Sequence, residues 1–152
     1  MKIIVQRVIK SSVEIDKKVV GSIDKGLMLL VGFTYKDNEK IIDYMVDKVI
    51  NLRIFDDENG IMNKSLLDIN GSILSISHFT LYADTKKGRR PSYINALRGS
   101  DASILYELFN KKLKEKNINV EQGIFGADMK VSLINDGPVT IILEKDDSNE
   151  ER

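Results

Sequence analysis

The sequence predicts a mixed-sheet, barrel-like α/β domain with two main helices outside. Three observations carry that expectation. Strand-length apolar runs outnumber helical ones, each amphipathic helical segment arrives singly between groups of strands, and no glycine-rich nucleotide fingerprint follows a strand. At 152 residues the chain is long enough to bury one core. The expected division is a folded domain over residues 1–145 and a charged, frayed tail over 146–152.

The elements follow from local pattern. Lys2 to Ile15 is rich in Val and Ile, Lys17-Lys18 reads as a turn, and Val19 to Ile23 returns, which is a hairpin signal. Gly26 then opens the unbroken apolar run Leu27 to Phe33, as expected of a strand buried on both faces. Asp37 is placed to cap a helix over 38–51, where Ile41, Ile42, Met45, Val46, Val49 and Ile50 recur at three- and four-residue spacing. Leu52 to Phe55 reads as a short strand and Asp56 to Gly60 as an exposed turn. Leu66 to Ile69 is expected to pair with Ile73 to Phe79 across the turn-prone Asn70-Gly71. Residues 82–99 carry glycine, proline and basic residues without periodicity and read as an ordered functional loop. Ser100 or Asp101 then caps a second helix whose inward face is Ile104, Leu105, Leu108, Phe109, Lys112 and Leu113. Strands over Val120 to Gln122 and Lys130 to Asn135 precede a closing strand over Val139 to Leu143.

Composition excludes several chemistries. The absence of cysteine removes disulfides and thiol nucleophiles, and a single histidine, His78, rules out a histidine-rich metal centre, so no metal and no cofactor are expected. Basic and acidic residues balance at 23 each, so any nucleic-acid contact must be held by a local patch. No stretch approaches the roughly 20 apolar residues of a membrane span, and Met1 to Val5 is too short an apolar run for a signal peptide. A cytoplasmic protein without membrane contact is expected.

Four segments hold candidate chemistry. Ser77-His78-Phe79-Thr80 places two hydroxyls and the imidazole beside an apolar strand, with Asp84 nearby. If the strand runs to Leu81, His78 and Thr80 share one face, so a Thr80 nucleophile with a His78 base stands beside a purely structural reading. Lys86, Lys87, Arg89 and Arg90 flank Gly88 in a loop that suits phosphate contacts, or solvation alone. Gly123 to Met129 offers Phe125 and Met129 as apolar walls of a pocket, or as an ordinary turn. Gly137-Pro138 sets one of only two prolines immediately before the β-prone run Val139 to Leu143. Proline donates no ladder hydrogen bond and is confined to strand starts, edges or bulges, so the backbone there has a reason to be unusual.

Together these segments, with Val5-Gln6-Arg7-Val8, Asn51-Leu52-Arg53-Ile54-Phe55 and Asn135-Asp136-Gly137-Pro138-Val139-Thr140, resemble the D-aminoacyl-tRNA deacylase family across nearly the whole chain. The family's first motif usually reads Ser-Gln-Phe-Thr, and here an imidazole, His78, replaces the glutamine amide. The resemblance implies hydrolysis of the ester between a D-amino acid and tRNA by a homodimer. Its Gly137-Pro138 pair, with a cis bond, would reach into the partner's pocket and exclude L side chains. Ser77, His78, Phe79 and Thr80 would then form a mostly backbone platform for the aminoacyl group and terminal adenosine of the tRNA acceptor end. Arg7, Ala102, Phe125 and Met129 join Gly137 and Pro138 as substrate-site residues, with Arg7 holding the inserted loop, and Lys86, Lys87, Arg89 and Arg90 meet tRNA phosphates. In the family view the tRNA 2′-hydroxyl assists the attack of water. Exclusion by a steric clash with side chains predicts that glycine, which has none, is also released. A non-catalytic RNA-binding module is the reading from another class.

Overall fold

A computed structural model describes residues 1–147, so residues 148–152 of the expected tail lie outside the described residues. The strands are β1 (Lys2–Ile15), β2 (Lys18–Ile23), β3 (Gly26–Gly32), β4 (Phe55–Asp56), β5 (Met62–Lys64), β6 (Ser72–Ser77), β7 (Val120–Gln122) and β8 (Lys130–Glu144). The helices are α1 (Glu39–Asn51), α2 (Leu66–Ile69) and α3 (Gly99–Glu115). The main sheet runs β2-β1-β3-β6-β7, with β8 on the free side of β1. β1 is antiparallel to β2, β3 and β8, whereas β3, β6 and β7 run parallel.

The sheet curls into a barrel-like shape. A Cβ at Gly21 in β2 would sit 3.3 Å from the Gln122 carbonyl oxygen of β7, so the two ends of the sheet lie within van der Waals reach. Alternation along β3 feeds two cores, as its apolar run predicts. Leu27, Leu29 and Val31 pack with Ile42, Met45, Val49, Tyr106, Phe109 and Leu113 beneath α1 and α3. Met28 packs with Val8, Val13, Ile23, Leu74 and Ile76 inside the curl. Each such side chain contributes about 1.5–3 kcal/mol by burial.

Several expectations are corrected. Asn38, not Asp37, caps α1, its side chain accepting from the Ile41 N–H at 3.0 Å. Asp37 is instead buried beneath the chain start, where it accepts from the Met1 ammonium at 2.7 Å and the Thr34 N–H at 2.8 Å. The strand expected over Leu52 to Phe55 begins only at Phe55. Leu66 to Ile69 forms a helical turn and not a hairpin arm. Ser65 and Asp68 make a capping box at its start, and Asn70 in the left-handed conformation ends it. The Asn70-Gly71 signal was therefore spent on a helix C-cap, leaving β6 to pair in parallel with β3.

Neither Ser100 nor Asp101 caps α3. Arg98 occupies that position, with no side-chain cap bond. The inward face of α3 is Ala102, Tyr106, Phe109, Asn110 and Leu113, with Leu105 and Leu108 packed against the core as expected, while Ile104 is exposed and Lys112 reaches Glu39 of α1 at 2.9 Å. The two separate strands expected near the C-terminus are one strand, β8, interrupted by a bulge. Gln6 pairs with Thr140 and Val8 with Asn135, so Arg7 alone faces the segment 136–139. This places Pro138 where a proline harms a sheet least.

Candidate active site

An open cavity of about 520 Å³ lies where β6 ends, lined by the segment Ile76 to Thr80, by Arg98 and Gly99 at the start of α3, by Phe125 to Ala127, and by Met129 and Val131. The structure thus brings Ser77, His78, Phe79, Thr80, Phe125 and Met129 to one place. The strand reading through Leu81 is corrected, because β6 stops at Ser77 and Phe79 to Tyr82 form a 3₁₀ turn. Strict alternation ends there, and residues 77–80 all face the same cavity.

The backbone explains the break. The His78 N–H still donates to the Val31 carbonyl at 2.8 Å, extending the β3 ladder, and its carbonyl then accepts from the Leu81 N–H at 3.3 Å. The first bond of the turn therefore begins at Leu81, leaving the Phe79 and Thr80 N–H groups at the turn's start without an intrahelical acceptor. Gly32 permits this approach, since a Cβ there would lie 3.1 Å from both the His78 oxygen and the Leu81 Cβ.

His78 is half-buried, and desolvation lowers its pKa below the usual imidazole value, which favours the neutral ring. No carboxylate lines the cavity among the described residues. Asp84 is not an orienter for His78. Its Oδ1 accepts the Lys86 N–H at 2.9 Å, and its backbone exchanges two bonds with Ser92. A hydroxyl, imidazole and carboxylate relay is therefore absent from this arrangement.

The far wall is held from below. Tyr106 is fully buried, donates to the Ser75 carbonyl at 2.7 Å, and packs its ring 6.1 Å from that of Phe125. Gly123 leaves room for the Met129 sulfur, which a Cβ would strike. Ala102 lies one turn into α3 and is buried against the core, outside the cavity lining.

Gly137 and Pro138 are exposed, joined by a cis bond, and do not line the cavity of their own chain. Arg7 fixes them from beneath. It is 7% exposed, so its bonds are shielded from water. Its Nε donates to the Asp136 carbonyl at 3.0 Å and its Nη1 to the Ile54 carbonyl at 2.8 Å. Across the bulge the Asn135 side chain accepts from the Val139 N–H at 3.0 Å and donates to the Thr140 hydroxyl at 3.0 Å. Among the described residues β8 pairs with β1 alone, so its outer edge has no partner strand. Lys86, Lys87, Arg89 and Arg90 are all exposed on the loop pinned by the Asp84 and Ser92 bridge.

Sequence reasoning missed Arg98. Its guanidinium lies 4.7 Å from the Phe79 ring centroid and 5.6 Å from that of Tyr93. It stands as a lone cation in a stretch without periodicity, and only its place just before α3 could have drawn attention to it.

The family match and the relatives it resembles place this barrel-like chain, with its cavity at the end of β6, in the class of aminoacyl-tRNA ester hydrolases. The chain is a member of the D-Tyr-tRNA(Tyr) deacylase family, whose model matches residues 4–144. It is 58% identical over 144 residues to a D-aminoacyl-tRNA deacylase of Clostridium botulinum (strain 657 / Type Ba4), covering 95% of this chain and 97% of that one. Identity to the D-aminoacyl-tRNA deacylase of Bacillus pumilus (strain SAFR-032) is 54% over 144 residues, covering 95% of this chain and 98% of that one. Among solved structures, one titled c-Myc DNA Unwinding Element Binding Protein superposes with a TM-score of 0.90 at 37% identity, covering 96% of this chain and 99% of that one. A probable eukaryotic D-amino acid tRNA deacylase, at 16% identity and a TM-score of 0.79, covers 93% of this chain and 97% of that one and shares the fold. No helix among the described residues is long and apolar enough to cross a membrane.

Proposed function

We propose that this chain hydrolyses the ester of D-aminoacyl-tRNA in the cytoplasm, releasing the D-amino acid and free tRNA, by positioning the ester without a side-chain nucleophile. The observation that carries this reading is a cavity lined by residues 77–80 and Arg98, with no carboxylate among its lining residues and with the Phe79 and Thr80 N–H groups lacking an acceptor within the 3₁₀ turn. Water attacks the ester carbonyl carbon, assisted by the vicinal 2′-hydroxyl of the terminal adenosine. The Phe79 and Thr80 N–H groups hold the developing oxyanion. The tetrahedral adduct then collapses with the 3′-oxygen leaving as a hydroxyl. An aminoacyl ester is already activated, so orientation and oxyanion stabilisation are sufficient.

Chirality is read by a second copy of the chain. The exposed Gly137-Pro138 bulge, held rigid by Arg7, enters the partner's cavity, and the unpaired outer edge of β8 lies at the contact. The inserted backbone leaves room for a hydrogen at the α-carbon but not for an L side chain. Phe125 and Met129 wall the aminoacyl and adenosine site, Ala102 supports it from α3, and Lys86, Lys87, Arg89 and Arg90 meet acceptor-stem phosphates.

Matched D-, L- and glycyl-tRNAs, assayed with purified protein, test this reading. D-aminoacyl-tRNA is cleaved, glycyl-tRNA is cleaved at high enzyme concentration, and the L form persists. Equal cleavage of D and L forms sinks the chiral filter, and tRNA binding without cleavage leaves only an RNA-binding module. Thr80→Val, followed in single turnover, retains activity to within about tenfold, whereas loss of a nucleophile costs at least 10³-fold. A trapped acyl-enzyme would place the chemistry on the Thr80 hydroxyl.

A further inference from the structure

A second pocket of about 390 Å³ lies against the first, lined by Tyr35, Tyr93, Ile94, Ala96, Leu97, Arg98 and Asp101. Arg98 lines both, so one guanidinium forms the divide between them. That guanidinium is spread against aromatic rings on the divide, with Phe79 and Tyr93 packed edge to face at 5.1 Å. The outer pocket is a built feature of the fold. Ala96 bridges to Thr34, the Leu97 N–H donates to the Phe33 carbonyl at 3.0 Å, and the Ala96 N–H closes a turn on the Tyr93 carbonyl at 3.1 Å. Tyr35 directly follows the bridged Thr34 and is 60% exposed, and Ile94 is 75% exposed, so the apolar faces are open to solvent.

We infer that this outer pocket binds the nucleotide preceding the terminal adenosine, with Arg98 holding the phosphodiester that joins the two. The inference rests on the deacylase reading and extends it to the next residue of the same strand. In a single-stranded nucleic acid each base is separated from the next by one phosphate, and here two cavities share one cation, stacked against aromatic rings. Planar guanidinium donors match a phosphate bidentately, and Tyr and Arg faces accept an unstacked base. Asp101 offers an acceptor to the exocyclic amine of cytosine, the base that precedes the terminal adenosine in every tRNA. Beyond Tyr93 the chain continues back through the Ser92 and Asp84 bridge to the four exposed cations of the 86–90 loop, which lie ready for further phosphates.

The test compares two non-hydrolysable ligands, 3′-deoxy-3′-(D-aminoacylamino)adenosine and the same compound extended by a 5′ cytidine through a phosphodiester. Their affinities for the full chain are measured by calorimetry at low salt, and their ratio is read within each variant, so that any general loss of packing cancels. The extension raises affinity about tenfold in the native chain, within the range of one stacked base. In Arg98→Gln and in Tyr35→Ala that gain falls to about twofold or less. Binding of both ligands with equal affinity in the native chain overturns the subsite alone, as does an unchanged gain in both variants. Failure of both ligands to bind overturns the deacylase reading and the subsite with it.

Discussion

Replacing Gly137 by alanine lowers hydrolysis of D-aminoacyl-tRNA by about 100-fold while the chain remains folded, the scale expected when a substrate-positioning element moves by about 1 Å. Two physical effects combine. Gly137 has φ +124, a conformation that L side chains rarely adopt, and an alanine Cβ would lie 2.8 Å from the Arg7 Nη2 and 2.9 Å from the Val139 Cγ2. Val139 cannot yield freely, because its N–H is tied to the Asn135 side chain. Arg7 is equally constrained, since the same guanidinium holds the Ile54 and Asp136 carbonyls. The bulge therefore shifts, at a stability cost of about 1–3 kcal/mol. Gly60→Ala is the control. Gly60 also has positive φ, but nothing lies within 4 Å of its Cβ position, so it carries backbone strain without a collision. Steady-state kinetics on D and L substrates decide the matter. Native rate and native D-over-L preference in Gly137→Ala would show that the bulge geometry is dispensable.

Asp37→Ala destabilises the fold by about 3–5 kcal/mol, the cost of leaving a buried charge without its partner. The Met1 ammonium and the Asp37 carboxylate are 2.7 Å apart with side-chain exposures of 0% and 1%, and the ammonium also donates to the Lys145 carbonyl at 2.8 Å. Burial pushes the amino group's pKa down and the carboxyl's up, and their mutual contact opposes both shifts. Alanine removes that contact and the acceptor for the Thr34 N–H together. At this chain length the loss lowers the thermal midpoint by about 6–20 °C. Asp37→Asn loses less, because its side-chain oxygen still accepts from Thr34. Thermal unfolding of both variants checks the order, and a midpoint within 2 °C of native for the alanine form would refute the account.

The two cases differ in how far they were visible before the structure. Gly137-Pro138 declared itself locally, because a proline at the mouth of a β-prone run contradicts the ladder it enters. Asp37 did not. Its position before a periodic helix gave the signature of a cap, yet Asn38 takes that role and Asp37 meets a group 36 residues away in the chain. A similar competition holds at Asn70-Gly71, since a left-handed residue followed by glycine ends a helix as readily as it turns a hairpin. The capping pattern Ser65 to Asp68 was present but lay within a helix of only four residues, too short for apolar periodicity to register.

At the cavity, residue identities were legible and their arrangement was not. Composition and motif resemblance mark Ser77 to Thr80 and Phe125 to Met129. Alternation predicted that Ser77 and Phe79 would part from His78 and Thr80. The 3₁₀ turn reverses that prediction by gathering all four on one cavity. Arg98 gave no local signal because its importance lies in what it separates, which depends on α3, the Thr34 bridge and the end of β6 meeting.

The sequence by itself determined the long first hairpin, the doubly buried β3, the helices α1 and α3, the segments 77–80 and 125–129 that line the cavity and the family to which the chain belongs, because apolar periodicity, glycine, proline and motif order are properties of neighbouring residues. Only the tertiary structure decided the parallel pairing of β6 with β3, the bulge of β8 over Arg7, the buried pair of Met1 and Asp37, and the cation between two pockets. Each of these joins residues far apart in the chain, and their energies come from burial and backbone pairing that exist only once the sheet has curled.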